Sequence, residues 1–333
     1  MRGNFVVGGA LTDPRPYDGL TPELLQEAIA SLGVATDGRL FALNSYENRV
    51  YLVGCDAKPP VVAKFYRPGR WSDAAILEEH GFAAELAARD LPVARALEFK
   101  GTTLHHMEGF RFALFDYLQG RAPELGSRDA LGLIGRTLGR IHAVGALSEF
   151  QHRPDLDVER LGWQARDAVL AHPDLDERFR DRYAAASEEL LVAIEQVLDA
   201  HSGVRWQRIH GDCHLGNVLW NDHGPVFVDL DDCMMGPAVQ DLWMFATGNE
   251  DEQRGAWELL LGGYRQFAHF DRHELALVDA LRALRMLHHG GWIAARWRDP
   301  AFPRAFPWFG EARYWEQHLS DLAAERDPLR GEA

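Results

Sequence analysis

One change of character, around Leu118-Gln119-Gly120, constrains the architecture of this chain more than any other feature. Upstream of it, Arg49-Val50-Tyr51-Leu52-Val53 is rich in β-formers. Pro59-Pro60 then punctuates, and Val61-Val62-Ala63-Lys64-Phe65-Tyr66 follows as a short apolar strand carrying one lysine. Residues 72–89 read as a helix with Ile76, Phe82, Leu86 and several alanines on one side, and residues 110–117 as a further strand. An earlier helix starts where Thr21 can cap and Pro22 suits the first turn. Its apolar residues Leu24, Leu25, Ala28, Ile29 and Leu32 recur at helical spacing up to Gly33. Downstream of Gly120 the pattern is mostly helical. Leu131, Ile134, Leu138 and Ile141 form one apolar face, and residues 183–200, 253–267 and 274–297 repeat the spacing. The one mixed segment there is 208–232. The expected fold is α+β and bilobal. Residues 1–118 would form a small β-rich lobe with its N-terminal helix, residues 119–333 a larger helical lobe, and the cleft between them a ligand site.

A chain of 333 residues has room for two such cores. Its 35 lysines and arginines against 50 acids give a net charge of −15. That disfavours nucleic acid or an anionic membrane as a general partner and leaves room for a local basic pocket. No segment approaches the roughly 18–20 unbroken apolar residues needed to cross a membrane. Met1-Arg2-Gly3-Asn4-Phe5 lacks a basic segment followed by an apolar run, so no secretory signal is expected. Cys55, Cys213 and Cys233 are a poor disulfide framework and suit buried thiols in a reducing cytoplasm.

The chemistry is concentrated in Ile209-His210-Gly211-Asp212-Cys213-His214-Leu215-Gly216-Asn217-Val218-Leu219-Trp220 and in Pro225-Val226-Phe227-Val228-Asp229-Leu230-Asp231-Asp232. Two short apolar strands flank Asn221-Asp222-His223-Gly224, which reads as a hairpin. A hairpin brings its outer ends together, so Asn217 and Asp229 should lie side by side with Asp212 on the loop before them. Phosphoryl transfer needs this inventory. Magnesium on a triphosphate prefers carboxylate and amide oxygens, which suits Asn217 and Asp229. A further carboxylate must take the proton of the accepting hydroxyl, which suits Asp212. Lys64, in mid-strand, is the candidate cation for the α- and β-phosphates, and a glutamate on the following helix should pair with it.

This stretch resembles the catalytic core of the protein-kinase-like superfamily, in the aminoglycoside-phosphotransferase and choline-kinase branch. That branch carries His-Gly-Asp-x-His-x-x-Asn where protein kinases carry His-Arg-Asp-x-x-x-x-Asn. Asn44-Ser45-Tyr46-Glu47-Asn48-Arg49-Val50-Tyr51, Lys64-Phe65-Tyr66-Arg67-Pro68, Ile76-Leu77-Glu78-Glu79-His80 and Asp299-Pro300-Ala301-Phe302-Pro303 with Phe306-Pro307-Trp308 extend the likeness. Together they look like the bacterial stress response kinase A family, which phosphorylates serine and threonine in proteins. The resemblance implies a protein-kinase-like fold and ATP as co-substrate with Mg²⁺. It also implies Asp212 as base, Asn217 and Asp229 as magnesium ligands, Lys64 as phosphate clamp and Ser45 on the nucleotide-covering loop. Residues 43–51 contain no glycine, so Ser45 would supply a hydroxyl where protein kinases offer free backbone amides. The branch's spacing before the Pro-Val pair selects Glu79 over Glu78 as partner of Lys64, leaving the other as a solvated helix residue.

Blander readings stand beside these. Lys64 could be an edge-strand lysine kept for solubility. His210, Cys213 and His214 could suggest a transition metal, but a further well-spaced ligand pair is missing. On the bland reading His210 packs beneath the loop and His214 lines the site. Asp231 either helps hold a second magnesium or orients the loop. Asp241 reads as a buried brace of the catalytic loop or a helix N-cap, and His288-His289 as structural. The expected function is a monomeric serine/threonine protein kinase. A small-molecule kinase acting on an amino alcohol or aminoglycoside is the alternative, and a non-catalytic nucleotide-binding protein a weaker one. A metallophosphoesterase is disfavoured, because no Gly-Asn-His-Asp or Gly-Asn-His-Glu element accompanies Gly211-Asp212-x-His214.

Overall fold

Lys64 lies on the middle strand of a five-stranded antiparallel sheet, and the N-terminal lobe is built around it. The structure is a computed structural model that describes residues 15–56, 58–123 and 128–331. The reading of Met1 to Phe5 falls outside the described residues. Helix α1 (Pro22–Ser31) is capped as expected, Thr21 Oγ1 accepting from Leu24 N at 3.2 Å. It buries Leu25, Ala28 and Ile29 against Phe65, Phe112 and Leu114 of the sheet.

The strands are β1 (Thr36–Ala42), β2 (Arg49–Cys55), β3 (Lys58–Phe65), β4 (His105–Met107) and β5 (Phe110–Asp116), in the order β1-β2-β3-β5-β4. Register pairs Val50 with Lys64 and Lys64 with Ala113, so the lysine has a strand on both sides. That removes the edge-strand reading. The sequence pattern missed β1 and β4, the two edges. Helix α2 (Asp73–Ala87) sits between β3 and β4. Ser72 caps it, and it buries Ile76, Glu79, Phe82 and Leu86.

The connection out of β5 is tied to the second lobe. Arg121 and Trp220 exchange backbone hydrogen bonds of 2.9 and 2.7 Å, and a Cβ on Gly120 would lie 2.7 Å from the Leu219 side chain, so only glycine lets the chain pass. The helical lobe follows as α3 (Arg128–Gly145), α4 (Gln164–Leu170), α5 (Glu177–Ala200), α6 (Glu250–Tyr264), α7 (Val278–Arg296), α8 (Ala301–Ala305) and α9 (Ala312–Gly331). Ile134, Leu138 and Ile141 of α3 are fully buried, as are Leu190, Leu191 and Ile194 of α5 and Leu287 of α7. Each contributes on the order of 2 kcal/mol by leaving water.

Two small antiparallel pairs interrupt these helices. Strand β6 (Gln207–Ile209) pairs with β9 (Met234–Gly236), and β7 (Val218–Asn221) with β8 (Gly224–Phe227), Asp222-His223 making the tight turn. These pairs bracket the segments 210–217 and 228–233 and hold them at the mouth of the cleft.

Candidate active site

Asp241 fixes the loop that carries Asp212. Its Oδ2 accepts from His210 N at 2.7 Å and its Oδ1 from Gly211 N at 2.9 Å. Oδ2 also lies 2.9 Å from His142 Nε2, and His142 Nδ1 lies 2.9 Å from the Tyr264 hydroxyl. Asp241 and His142 are wholly buried. With both oxygens on the loop, Asp241 acts as a brace and does not cap a helix. Gly211 has φ +86°, and a Cβ there would lie 2.1 Å from Asp232 O, so the position admits only glycine. His210 lies beneath the loop and reaches Val228 O with Nε2 at 2.9 Å.

Hairpin pairing brings Asn217 and Asp229 together: Val228 N donates to Asn217 O at 3.0 Å, next to the Val218–Phe227 register pair. Asn217 Nδ2 donates to Asp212 O at 2.9 Å, which leaves its amide oxygen for another partner. Asp229 adopts the left-handed region, φ 60° and ψ 64°, a strained choice for a residue with a Cβ. Its side chain is 49% exposed. Asp212 Oδ1 accepts from Arg285 Nη1 at 2.5 Å, and Oδ2 lies 3.5 Å from His214 Nε2. Burial raises the Asp212 pKa, but His214 and Arg285 outweigh it and hold the carboxyl well below its usual range.

Lys64 meets this group from the other lobe. Its Nζ lies 3.3 Å from Glu79 Oε1, 3.1 Å from Asp229 Oδ1 and 3.0 Å from Asp231 Oδ1. Burial opposes its charge, but Asp231, Glu79 and Asp229 outweigh that and hold its pKa well above the ordinary lysine value. Burial lifts Glu79 to about 7 against the pull of Lys64, and its Oε2 has no hydrogen-bond partner. Asp231 is deeply buried as well. Burial raises its pKa, but Lys64, Arg70 and Arg153 outweigh that and keep it below its usual value.

Glu79 is therefore the glutamate beside Lys64. Glu78, expected to be solvated, has a role of its own: its carboxylate accepts from the backbone N–H of Gln151, His152 and Arg153 at 2.7, 2.7 and 2.8 Å. The sequence offered no signal for this, because the three amides lie more than 70 residues away.

A second set of contacts crosses the cleft. Glu47, two residues after Ser45, takes Trp292 Nε1 at 2.6 Å and Arg296 at 2.5 and 3.0 Å, all from α7, and lies 3.1 Å from Arg67. Burial raises its pKa, but Arg70 and Arg296 outweigh it and bring Glu47 down to about 2. Arg67 also pairs with Asp299 at 2.7 Å, and Arg70 joins Asp231 and Asp232. Asn48 donates to Asp231 Oδ2 at 3.0 Å. The segment of residues 44–49 is thus strapped to the helical lobe.

Ser45, Asp212, Asn217 and Asp229 line one cavity of about 490 Å³, with His214, His288 and His289 at its wall. Burial holds His288 down to about 4, which keeps it neutral at physiological pH.

Residues 39–278 match the phosphotransferase enzyme family. Stress response kinase A of Escherichia coli strain K12 is 41% identical over 324 residues, 94% of this chain and 95% of that protein. Serine/threonine protein kinase RdoA of Salmonella typhimurium is 39% identical over 304 residues, 91% and 92% of the two chains. Among solved structures, amicoumacin kinase with AMP-PNP and calcium superposes with a TM-score of 0.71 at 16% identity, covering 96% of this chain and 95% of that one. At that identity the likeness is one of fold.

Proposed function

This chain belongs to the phosphotransferase enzyme family and is a kinase, and we propose that it moves the γ-phosphoryl group of magnesium-bound ATP onto a serine or threonine hydroxyl of a protein. One observation carries the reading: Lys64 from the sheet lobe and Asp229 from the helical lobe meet at 3.1 Å, and Asp229 lines one cavity with Asn217 and Asp212.

The residues fit magnesium. Asn217 keeps an amide oxygen and Asp229 a half-exposed carboxylate at the cavity wall, both hard donors. Among the described residues no three His, Cys, Asp or Glu side chains form a ready metal cage. Magnesium keeps several waters and substrate phosphates in its shell, so one or two protein donors suffice to hold it. Bound there, it would neutralise charge on the phosphates. Lys64 would hold the α- and β-phosphates, positioned by Glu79, and Ser45 would contact the phosphates from above. Asp212 would orient the acceptor hydroxyl and take its proton through Oδ2, since Oδ1 is occupied by Arg285.

The protein acceptor follows the relative named a serine/threonine protein kinase, which aligns over nine-tenths of both chains. A monomer working in the cytoplasm completes the reading, and three free, buried cysteines support a reducing compartment. Among the described residues no helix is long and apolar enough to cross a membrane.

The test supplies labelled ATP and magnesium with a generic serine-rich protein substrate in one arm and a panel of amino alcohols and aminoglycosides in the other. Transfer to protein serine or threonine, lost in Asp212→Ala, is the expected result. Efficient transfer to a small alcohol with none to protein would replace the acceptor and keep the kinase.

A further inference from the structure

We propose that Arg285 is a catalytic cation of this enzyme, the guanidinium that stabilises the transferring phosphoryl group on the acceptor side of Asp212; the assignment rests on the phosphotransferase reading above. Arg285 projects from α7 into the same cavity as Asp212, Asn217 and Asp229. Its Nη1 donates to Asp212 Oδ1 at 2.5 Å, and its side chain is 38% exposed.

The other arginines of the cavity are drawn to other groups, although Arg160 Nε has no hydrogen-bond partner. Arg70 is shared among Glu47, Asp231 and Asp232, and Arg160 among Asp157 and the Asp155 carbonyl. Arg296, just outside the cavity lining, is doubly bonded to Glu47. Among the described residues Asp212 is the only hydrogen-bond or ion-pair partner of Arg285. A guanidinium carries five N–H donors in a fixed fork, so most of this one faces the cavity uncommitted.

The need for such a group is electrostatic. In phosphoryl transfer, negative charge spreads over the equatorial oxygens of the moving group, and cations placed before the reaction lower the barrier most. Lys64 cannot serve the acceptor side. It is buried in the other lobe among three carboxylates. Arg285 can keep Nη1 on Asp212 Oδ1 while its remaining donors meet the phosphoryl oxygens, the planar geometry at which arginine excels. Asp212 Oδ2, 3.4 Å from Asn217 Nδ2 and 3.5 Å from His214 Nε2, is the less tightly held oxygen and would turn to the hydroxyl. The step balances: the acceptor oxygen bonds to the γ-phosphorus, the bond from that phosphorus to the β,γ-bridging oxygen breaks, ADP leaves with the electron pair, and the hydroxyl proton passes to Asp212 Oδ2. Arg285 changes no covalent bond and holds the charge between the two.

The experiment compares wild type, Arg285→Ala and Arg285→Lys in turnover of magnesium ATP with the acceptor that the transfer test identifies, in affinity for magnesium ADP, and in affinity for magnesium ADP with aluminium fluoride, which mimics the transferring phosphoryl group. Arg285→Ala should lower kcat on the order of 10²–10³-fold, as loss of a charge-stabilising donor does. Affinity for plain magnesium ADP should stay within about threefold, because only the transition state gains the contact. Binding of the aluminium fluoride complex should weaken in parallel with kcat, and added guanidinium ion should restore part of the rate. Arg285→Lys should recover little, since a point charge lacks the fork. If the alanine variant does not fold, the lysine variant carries the same readouts. A kcat within about threefold of wild type, or an aluminium fluoride complex as tight as in wild type, overturns the assignment. Wild-type turnover alone tests the kinase reading, so the two can fail separately.

Discussion

Lys64 and Asp212 join one site by opposite constructions. Lys64 stands on the middle strand of a sheet, its neighbours set by register, and its partner Glu79 stands on a capped helix. Asp212 stands on a loop with no regular structure, held by a buried aspartate, a buried histidine and one glycine with positive φ. Regular elements position the cation through backbone hydrogen bonds that any sequence can make. The loop depends on individual side chains, so single substitutions there should be felt far more widely.

The largest expected effect separates chemistry from support. Asp212→Ala should lower kcat by roughly 10²–10⁴-fold, the usual share of a general base, while global stability and ATP affinity change little. Steady-state kinetics beside equilibrium nucleotide titration checks this, and wild-type turnover would remove Asp212 as base. Next comes the brace. Asp241→Ala strands two backbone N–H groups and His142 in the interior and should cost about 3–5 kcal/mol in urea or guanidinium unfolding, with activity falling alongside. A variant as stable as wild type would show that the loop needs no buried support and would erase the contrast.

Lys64→Met should be milder and of another kind. Losing one charge-assisted contact, about 1.5–3 kcal/mol, should weaken ATP binding roughly 10–150-fold. Unaltered ATP affinity would place the phosphates elsewhere. The last effect concerns Glu274, which accepts from Val239 N at 2.9 Å and so steadies the turn carrying Asp241. Burial pushes it up to about 7 from an unfolded value near 4.5. The folded state therefore binds its proton more tightly. The resulting stabilisation is full below pH 4.5, fades as pH rises to about 7, and gives way to the cost of a buried charge. Glu274→Gln removes that slope, so its stability should gain on wild type between pH 4.5 and 7, by on the order of 3 kcal/mol. Parallel stability curves for the two proteins would contradict the assigned shift.

The division between the lobes governs how far the sequence could be read. Thr21 and the 218–227 hairpin announce themselves locally, through a cap and a turn. The spacing carried over from the resembling branch picked Glu79. Strand β1 escaped because its residues, Thr36 to Ala42, are mostly exposed and never alternate in burial. Strand β4 escaped because it is three residues long. At the site, Asp212, Asn217 and Asp229 were legible because 17 residues and one turn bring them together. Arg285, Glu47 and Glu78 were not. Their partners lie 73, 249 and 73 residues away, and no local pattern encodes a contact between such distant segments, within the helical lobe for Arg285 and across the lobes for Glu47 and Glu78.

The Glu47 strap has a thermodynamic consequence. The lobes are joined by the peptide chain near Gly120 and across the cleft by Glu47 with Arg296 and Trp292, so the site sits inside a closed circuit. Taken by themselves, the ion pairs of Glu47 with Arg296 and Arg67 expose charged groups and little apolar surface when they part. Heat capacity tracks apolar exposure and is offset by polar exposure, so this opening should leave almost no calorimetric trace, unlike the melting of either core. Ionic strength, which screens the separated charges, is the variable that moves it. The cleft and the cores of this protein therefore answer to different solvents: one to salt, the others to heat.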